Sequence, residues 1–295
     1  MFRSRYLRQQ PALRPVRAMT ALLRTLLRLA PLCLLGACAG GGADGARTQP
    51  RLLRLEARDF TFATPAAVPA GLTRVRLVNR GAEWHEAGIA RLPEGTSAEA
   101  YLAGARAGES FPVGAVDFGG PGKVATGDSS EVVLRLAPGR YAIVCWADGH
   151  VKRGMIATLI VTEPEPGAQR ADTSAAPPSS DAVVALQDFR FVHAPGAFRG
   201  APTVLHVRNE GRRPHDMTIY RLHPGRTLRE FGAWYRSRQG APPAVPAGGM
   251  NTLAPGREGW ASLTLPPGRY FIACGTPEGE TIHAAMGMIE EFEVR

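Results

Sequence analysis

The sequence predicts an all-β protein made of two similar β-sandwiches, each carrying one short inserted helix. Three observations lead to this fold class. Short β-forming segments alternate with glycine and proline, a set of motifs occurs twice, and each copy contains one stretch with helical spacing. The copies lie 129 or 130 residues apart, which is too long for a solenoid repeat and suits a duplicated domain of ordinary size.

The repeat consists of three motifs that return in the same order. Asp-Phe-x-Phe begins at Asp59 and Asp188, Asn-x-Gly-x3-His at Asn79 and Asn209, and Pro-Gly-Arg-Tyr at Pro138 and Pro267. Composition changes divide the chain further. We predict a signal peptide at 1–37, a tether at 38–50, a first sandwich at 51–163, a linker at 164–181 and a second sandwich at 182–295.

The predicted strands of the first copy are short and rich in β-branched, leucine and aromatic residues, which is typical of a sandwich. They span 52–58, 73–79, 85–91, 131–136, 140–145 and 155–161. Stretches rich in proline and glycine, at 114–127 and 240–255, predict loops.

One helix is predicted in each copy, at 97–106 and at 227–238. In the second helix Thr227 can cap the first turn, and apolar residues recur at helical spacing. This pattern predicts an aromatic face that packs on the sandwich. The face consists of Leu228, Phe231, Trp234 and Tyr235.

The leader predicts export. It carries seven arginines and no acidic residue, followed by a short apolar run that ends in Leu35-Gly36-Ala37-Cys38. The small residues before Cys38 resemble a bacterial lipobox, which implies a lipidated Cys38 and a protein anchored to a bacterial membrane, facing the periplasm or the cell exterior. Either Met1 or Met19 can be the start.

The net charge does not indicate nucleic-acid binding. The formal charge is +9, but seven of the 35 basic residues lie in the leader, which leaves 28 basic against 26 acidic residues. Without the leader the chain is nearly neutral, so a basic footprint for phosphate is absent. The sequence does not predict an oligomeric state.

The strongest chemical signal in the first copy is a thiolate, an imidazole and a thioether in one loop. Cys145, His150 and Met155 follow a predicted strand with four residues between successive members, and His85 supplies a second imidazole from the Asn-x-Gly-x3-His motif. A cysteine, two histidines and a weakly bound methionine are the donors that favour copper. The first copy therefore predicts a copper site.

The second copy repeats this set with a longer loop. His215, Cys274, His283 and Met288 are the equivalent residues, and eight residues instead of four separate Cys274 from His283. Met286 is an alternative axial ligand, although the Gly-Met ending shared with Met155 favours Met288. A disulfide between the two cysteines is disfavoured, since each lies in its own copy of the repeat.

These motifs resemble the cupredoxin (blue-copper) family, the family of plastocyanin, azurin and rusticyanin. The resemblance implies Greek-key sandwiches, one copper per domain with the second less certain, and electron transfer to redox partner proteins. It also implies that the loop histidine of each site lies at the solvent edge beside an apolar docking patch. That patch would contain Trp146 and Val151 in one copy, and Ile282, Ala284 and Ala285 in the other.

Other functions fit parts of the sequence. Copper storage or delivery needs the same ligands, and a metal-free sandwich could be a binding module. A copper oxidase or nitrite reductase ranks last, because Val144 and Ala273 precede the two cysteines and no His-x-His occurs. We therefore expect that the protein is not an enzyme. The remaining histidines, at 193, 206 and 223, lack counterparts in the other copy and are expected on the surface.

Overall fold

The structure is a computed structural model that describes residues 49–109, 112–164 and 175–295. These residues belong to one compact unit, Ala46–Arg295. The signal peptide, Cys38 and most of the predicted tether lie outside the described residues, as do residues 165–174 of the predicted linker. Within the described ranges, no helix combines the length and apolar character needed to cross a membrane.

The first half contains nine strands and one α-helix. They are β1 (Arg51–Arg58), β2 (Thr61–Ala63), β3 (Ala67–Pro69), β4 (Gly71–Asn79), β5 (Gly88–Arg91), α1 (Ala98–Ala107), β6 (Val116–Asp117), β7 (Ser129–Leu136), β8 (Gly139–Val144) and β9 (Ile156–Thr162).

The second half follows this order without a counterpart of β3 and with two further short strands, β17 and β18. Its elements are β10 (Ala182–Gln187), β11 (Arg190–His193), β12 (Thr203–Asn209), β13 (His215–Leu222), α2 (Leu228–Ser237), β14 (Ala244–Leu253), β15 (Glu258–Leu263), β16 (Gly268–Ala273), β17 (Pro277–Glu278), β18 (Thr281–Ile282) and β19 (Ile289–Val294).

The two halves share their largest sheet. Its eight strands run in the order β11-β10-β12-β15-β7-β4-β1-β2, and antiparallel pairing of β15 with β7 joins the halves. A five-stranded sheet, β3-β9-β8-β5-β6, belongs to the first half, and a four-stranded sheet, β14-β13-β16-β19, belongs to the second. The all-β fold with helical insertions is confirmed.

Alternating side chains build the core between these sheets. In β1, Leu53, Leu55 and Ala57 are fully buried, whereas Leu52 is 48% exposed. This period of two is what a strand with one buried face requires. The main apolar core contains residues from both halves, including Cys145 and Cys274.

The predicted helices form with the expected caps. Ser97 caps α1, and Thr227 caps α2 in a reciprocal pair with Glu230. The aromatic face of α2 packs as expected, since the ring of Phe231 lies 4.8 Å from the ring of Phe271 and 4.9 Å from that of Tyr220. Helix packing therefore covers the outer face of the four-stranded sheet.

The predicted loop at 240–255 is wrong, because it contains β14. This strand lies at the edge of its sheet, which is where a strand tolerates a proline such as Pro246. Glycine is also unusual inside a strand, and Gly249 is needed in β14 because its backbone lies very close to that of the neighbouring strand. A Cβ at Gly249 would lie 2.0 Å from the carbonyl oxygen of Met217.

Candidate metal centre

Three donor atoms meet in the first half. The Nδ1 atoms of His85 and His150 lie 3.2 Å apart, and the Sγ of Cys145 lies 3.7 Å from the first and 3.5 Å from the second. All three side chains are buried. His85 therefore forms one compact group with Cys145 and His150, which lie 60 and 65 positions further along the chain, and this group has the donors that copper favours.

The end of β8 and the loop after it position this group. Cys145 directly follows the strand, and His150 lies in a 3₁₀ segment, Ala147–Arg153. The N–H of Met155 donates to the carbonyl of His150 (3.1 Å), and the N–H of Cys145 donates to the carbonyl of Met155 (3.2 Å). These two backbone hydrogen bonds close the loop and fix Cys145, His150 and Met155 relative to one another.

The second half forms the same group through a longer loop. The Nδ1 atoms of His215 and His283 lie 2.9 Å apart, and the Sγ of Cys274 lies 3.8 Å and 3.4 Å from them. The N–H of Met288 donates to the carbonyl of His283 (3.0 Å), as at the first site. The short pair β17 and β18 accommodates the additional residues.

Burial separates the two candidate methionines of the second site. Met288 is fully buried, whereas Met286 is 43% exposed. Met155, the equivalent residue of the first half, is also fully buried. The burial pattern favours Met288 as the axial ligand, and both assignments remain predictions.

The Asn-x-Gly-x3-His motif is a turn that aims the first histidine. The side-chain amide of Asn79 donates to the carbonyls of Glu83 (2.7 Å) and Val124 (3.1 Å), and its oxygen accepts the N–H of Gly81 (2.9 Å). Asn209 makes the equivalent three bonds in the second half. The motif therefore fixes the backbone that leads to His85 and His215.

The glycine of this motif leaves room for a histidine and a carboxylate. A Cβ at Gly81 would lie 2.2 Å from Oδ1 of Asp59 and 2.6 Å from Nε2 of His85. At Gly211 the corresponding distances are 2.5 Å to Asp188 and 2.8 Å to His215. Glycine is thus required for close approach and not for an unusual backbone angle.

A carboxylate holds the outer nitrogen of each first histidine. Nε2 of His85 lies 2.6 Å from Oδ1 of Asp59, and Nε2 of His215 lies 3.0 Å from Oδ1 of Asp188. The backbone N–H of Ala82, followed by the hydrogen bond from His85, outweighs burial and lowers the pKa of Asp59. An ionised carboxylate accepts a hydrogen bond from the Nε2–H group, so the proton stays on Nε2 and the Nδ1 lone pair is free for a metal.

Carboxylates also hold the loop histidines. Nε2 of His150 lies 2.9 Å from Oε2 of Glu83, and Nε2 of His283 lies 3.3 Å from Oε2 of Glu278. Every candidate imidazole therefore has a carboxylate at its outer nitrogen. The sequence analysis missed all four. The repeated Asp-Phe motif was the available signal for Asp59 and Asp188.

The phenylalanines of the Asp-Phe motif cover the loop histidines. Phe60 contacts the ring of His150 edge-on with centroids 4.8 Å apart, and Phe189 contacts His283 at 5.1 Å. His150 is 1% exposed and His283 is fully buried. The expected solvent-edge position of these rings is therefore not observed in the described chain.

The expected docking patch is also largely internal in the first half. Val151 is buried in a cluster with Tyr101 of α1, and Trp146 packs against the same cluster. In the second half Ala284 packs against an aromatic cluster, while Ala285 is exposed. The longer loop thus leaves more of its apolar surface open than the shorter one.

The buried donors favour neutral imidazoles and a protonated thiol in the absence of a metal. Burial lowers the pKa of His150 and of His215, and it raises the pKa of Cys145 to about 12. Burial also raises the pKa of Cys274. A metal would have to displace the thiol proton, so its binding releases protons and weakens as pH falls.

The arrangement fits a metal ion. Bonds of about 2.0–2.1 Å to nitrogen and about 2.3 Å to sulfur, at tetrahedral to trigonal angles, place donors about 3.3–3.8 Å apart. The observed separations of 2.9–3.8 Å lie in or slightly below this range. Two neutral Nδ1 lone pairs that face each other inside a protein repel, and a shared cation relieves this repulsion.

The surroundings of the two sulfur atoms differ. Oδ1 of Asp216 lies 3.3 Å from the Sγ of Cys274 and accepts hydrogen bonds from the N–H and the hydroxyl of Thr276. In the first half, the carboxylate of Glu86 lies 3.9 Å from the ammonium of Lys123.

The other histidines only partly follow the expectation. His223 is exposed. His206 stacks on Trp260 with ring centroids 4.7 Å apart, and His193 packs edge-on against Phe198 at 5.1 Å. The prediction of surface positions is therefore wrong for His193 and His206, whose rings are partly buried because aromatic neighbours cover them.

A scan against protein-family models and a search of curated proteins each gave no match. Solved structures of similar fold include auracyanin A, a blue copper protein of Chloroflexus aurantiacus (19% identity, 39% of this chain and all of that one, TM-score 0.30). A multicopper oxidase matches at 14% identity over 83% of this chain and 89% of its own (TM-score 0.26). A copper nitrite reductase of Thermus scotoductus matches at 14% identity over 84% and 62% (TM-score 0.25).

The predicted resemblance to tandem cupredoxin-like domains is confirmed, since two His/Cys/His groups occupy two all-β halves. The expectation that the protein is not an enzyme is corrected. Solved structures of similar fold include multicopper oxidases and copper nitrite reductases, which are enzymes. The two His/Cys/His groups are what indicates a metal site in each half.

Proposed function

We propose that this protein is an extracytoplasmic copper protein that transfers electrons, with one copper site in each half. The observation that carries the proposal is the first donor group. His85, Cys145 and His150 converge in a buried site, and carboxylates hold both outer ring nitrogens. A thiolate and two imidazoles with a weak thioether are the donors of a blue-copper site.

The protein matrix suits an electron carrier because it limits rearrangement. The donors come from the β8 loop and from the Asn-x-Gly-x3-His turn, and each segment is fixed by its own hydrogen bonds. Bound copper would supply a one-electron couple. The chain would keep water away from the donors, since all of them are at least 99% buried. Donors held in this way change little between oxidation states.

The second site is proposed on the same grounds. His215, Cys274 and His283 form an equivalent group, and Asp188 and Glu278 hold the outer nitrogens. The longer loop between Cys274 and His283 does not separate the donors, which lie 3.4 Å apart.

The location and partners are proposed from the sequence. Seven arginines before a short apolar run and a lipobox-like ending support export and lipidation at Cys38. A carrier tethered in this way would exchange electrons with redox proteins at the same membrane. Radiolabelled lipid incorporation that is lost in Cys38→Ala tests the anchor independently of the copper sites.

Metal analysis and visible spectroscopy on the mature protein test the proposal. Copper-loaded wild type is expected to show an intense thiolate-to-copper band that reductant bleaches reversibly. Cys145→Ser and Cys274→Ser should each remove the share of the band that belongs to one site. Met286→Leu, which changes an exposed thioether, is the matched control and should leave both shares in place.

Other outcomes identify the alternatives. Stoichiometric copper without the band contradicts an electron carrier and supports storage or delivery. No copper uptake leaves a metal-free binding module, and stoichiometric zinc in place of copper points to a structural site. Turnover of oxygen or nitrite by the copper-loaded protein would place it among the copper enzymes.

A further inference from the structure

A carboxylate residue directly follows the first histidine of each site, and the two carboxylates have different neighbours. Asp216 follows His215 and is 8% exposed, and its Oδ1 lies 3.3 Å from the Sγ of Cys274. The carboxylate accepts three further hydrogen bonds, from the N–H and the hydroxyl of Thr276 and from the hydroxyl of Thr218. These bonds hold a negative charge beside the sulfur without neutralising it.

The equivalent carboxylate of the first site has a cation beside it. Glu86 follows His85 and is 7% exposed, and its Oε2 lies 3.9 Å from Nζ of Lys123. Burial of Lys123 disfavours its ammonium, but the attraction of Glu86 together with that of further neighbouring groups raises the pKa of Lys123, so the ammonium stays charged. Burial raises the pKa of Glu86 and Lys123 opposes this rise, so any negative charge on Glu86 has a cation beside it.

The second half has no lysine at the equivalent position. His85 forms a backbone bridge with Val124, and His215 pairs with Leu253, so Lys123 corresponds to Thr252. Glu86 and Lys123 act on the Cys145 thiol with opposite signs, whereas Asp216 acts on the Cys274 thiol from hydrogen-bonding distance.

We propose that Asp216 gives the second copper site a lower reduction potential than the first. The inference rests on the proposed function, because it assumes copper at both sites. An anion in a buried, low-dielectric site stabilises the oxidised metal, which carries the larger positive charge, relative to the reduced metal. With one electron in the molecule, the second site is oxidised and the first is reduced, and no proton or further reactant is needed.

Redox titration of the copper-loaded mature protein tests this assignment. Cys274→Ser isolates the first site and Cys145→Ser isolates the second, and the thiolate-to-copper band reports each oxidation state. The second site is expected at the lower potential. Asp216→Asn in the Cys145→Ser background should shift its equilibrium at least tenfold towards the reduced state, about 59 mV for a one-electron couple.

The Lys123 pair provides a second, independent variant. Lys123→Gln in the Cys274→Ser background leaves Glu86 uncompensated, so the first site should shift at least tenfold towards the oxidised state. Glu86→Gln should shift it in the opposite direction. If Asp216→Asn does not fold, as judged by circular dichroism and copper content, the Lys123→Gln result still decides whether a charge beside the sulfur controls the potential.

Two results overturn the inference. One is equal potentials of the two isolated sites in the presence of intact bands. The other is a potential that moves in neither the Asp216 nor the Lys123 variant. The absence of bands or of copper in wild type would instead contradict the proposed function itself, so the two failures can be told apart.

Discussion

The two halves of the molecule hold the same donors and differ in the charges around them. In both, an aspartate from the Asp-Phe motif supports the first histidine and a phenylalanine covers the second. The glutamate that supports the loop histidine comes from different places. Glu83 lies in the Asn-x-Gly-x3-His motif, whereas Glu278 lies in the longer ligand loop.

The charge at the motif position is also reversed between the halves, from a glutamate to an arginine. The residue equivalent to Glu83 is Arg213, whose Nε lies 3.0 Å from both carboxylate oxygens of Glu278. In the first half Arg153 lies 3.5 Å from Glu83. The donor positions are therefore the same in both halves, while the carboxylate at an outer nitrogen is supplied from different segments.

The largest expected effect tests whether the two turns are equivalent. Gly81→Ala and Gly211→Ala should each lower copper affinity at their own site by about 100-fold or more, because the new Cβ overlaps the histidine–aspartate pair. The effect should be larger at Gly81, where the approach is closer. Copper titration in the Cys274→Ser and Cys145→Ser backgrounds measures each site separately.

Gly232→Ala is the matched control, since it lies in α2 and a Cβ there would meet only the end of Arg236 at 3.7 Å. It should leave copper affinity unchanged. Equal affinities in Gly81→Ala and wild type would show that the histidine–aspartate geometry does not support the metal.

A smaller effect is expected from the aspartates themselves. Asp59→Asn and Asp188→Asn should reduce copper affinity by about 10- to 100-fold, because an amide no longer fixes the tautomer and charge of the imidazole. We expect the larger loss at Asp59, whose hydrogen bond is 2.6 Å against 3.0 Å. Competition with a chelator of known affinity provides the measurement.

Asp181→Asn is the control. Asp181 also accepts a hydrogen bond from a backbone N–H, that of Val204, but it contacts neither of the two His/Cys/His donor groups. A loss of folding stability without a loss of copper affinity would assign the Asp-Phe motif a purely structural role.

The smallest expected effect lies away from the donors. Asp117 is the strand partner of Ala90 in the first half. In the second half the corresponding strand pair is Pro246 and Tyr220, so the carboxyl has no counterpart there. Burial raises the pKa of Asp117 from 3.8 to about 8. Between these values the unfolded chain is ionised and the folded chain is protonated, so this residue lowers stability as pH rises.

Asp117→Asn should therefore stabilise the metal-free protein at pH 8, by about 1–3 kcal/mol, and the gain should disappear as pH falls towards 4. Urea unfolding at several pH values, compared with wild type, measures it. The exposed Asp128→Asn serves as control. A gain that does not grow with pH contradicts the assigned pKa.

Local sequence patterns predicted many of the strands and both helices. Strands β1, β4, β7, β8 and β9 lie within two residues of their predicted bounds, because alternation and glycine punctuation are local properties. Strand β14 was missed since its Pro246 and two consecutive glycines resemble a loop, and its edge position became apparent only in the sheet. The helix cap at Thr227 was predicted from a short motif that depends on adjacent residues alone.

The sequence by itself determined the all-β class, the duplication and the eight candidate ligands, because these depend on residue type, spacing and order. The tertiary structure decided which carboxylates support the imidazoles, that β15 and β7 join the halves, and that Lys123 lies beside Glu86 while Asp216 lies beside Cys274. The physical reason is distance. Hydrogen bonds and charge interactions act over a few ångströms in space, and residues far apart in the sequence come that close only once the sandwiches have formed.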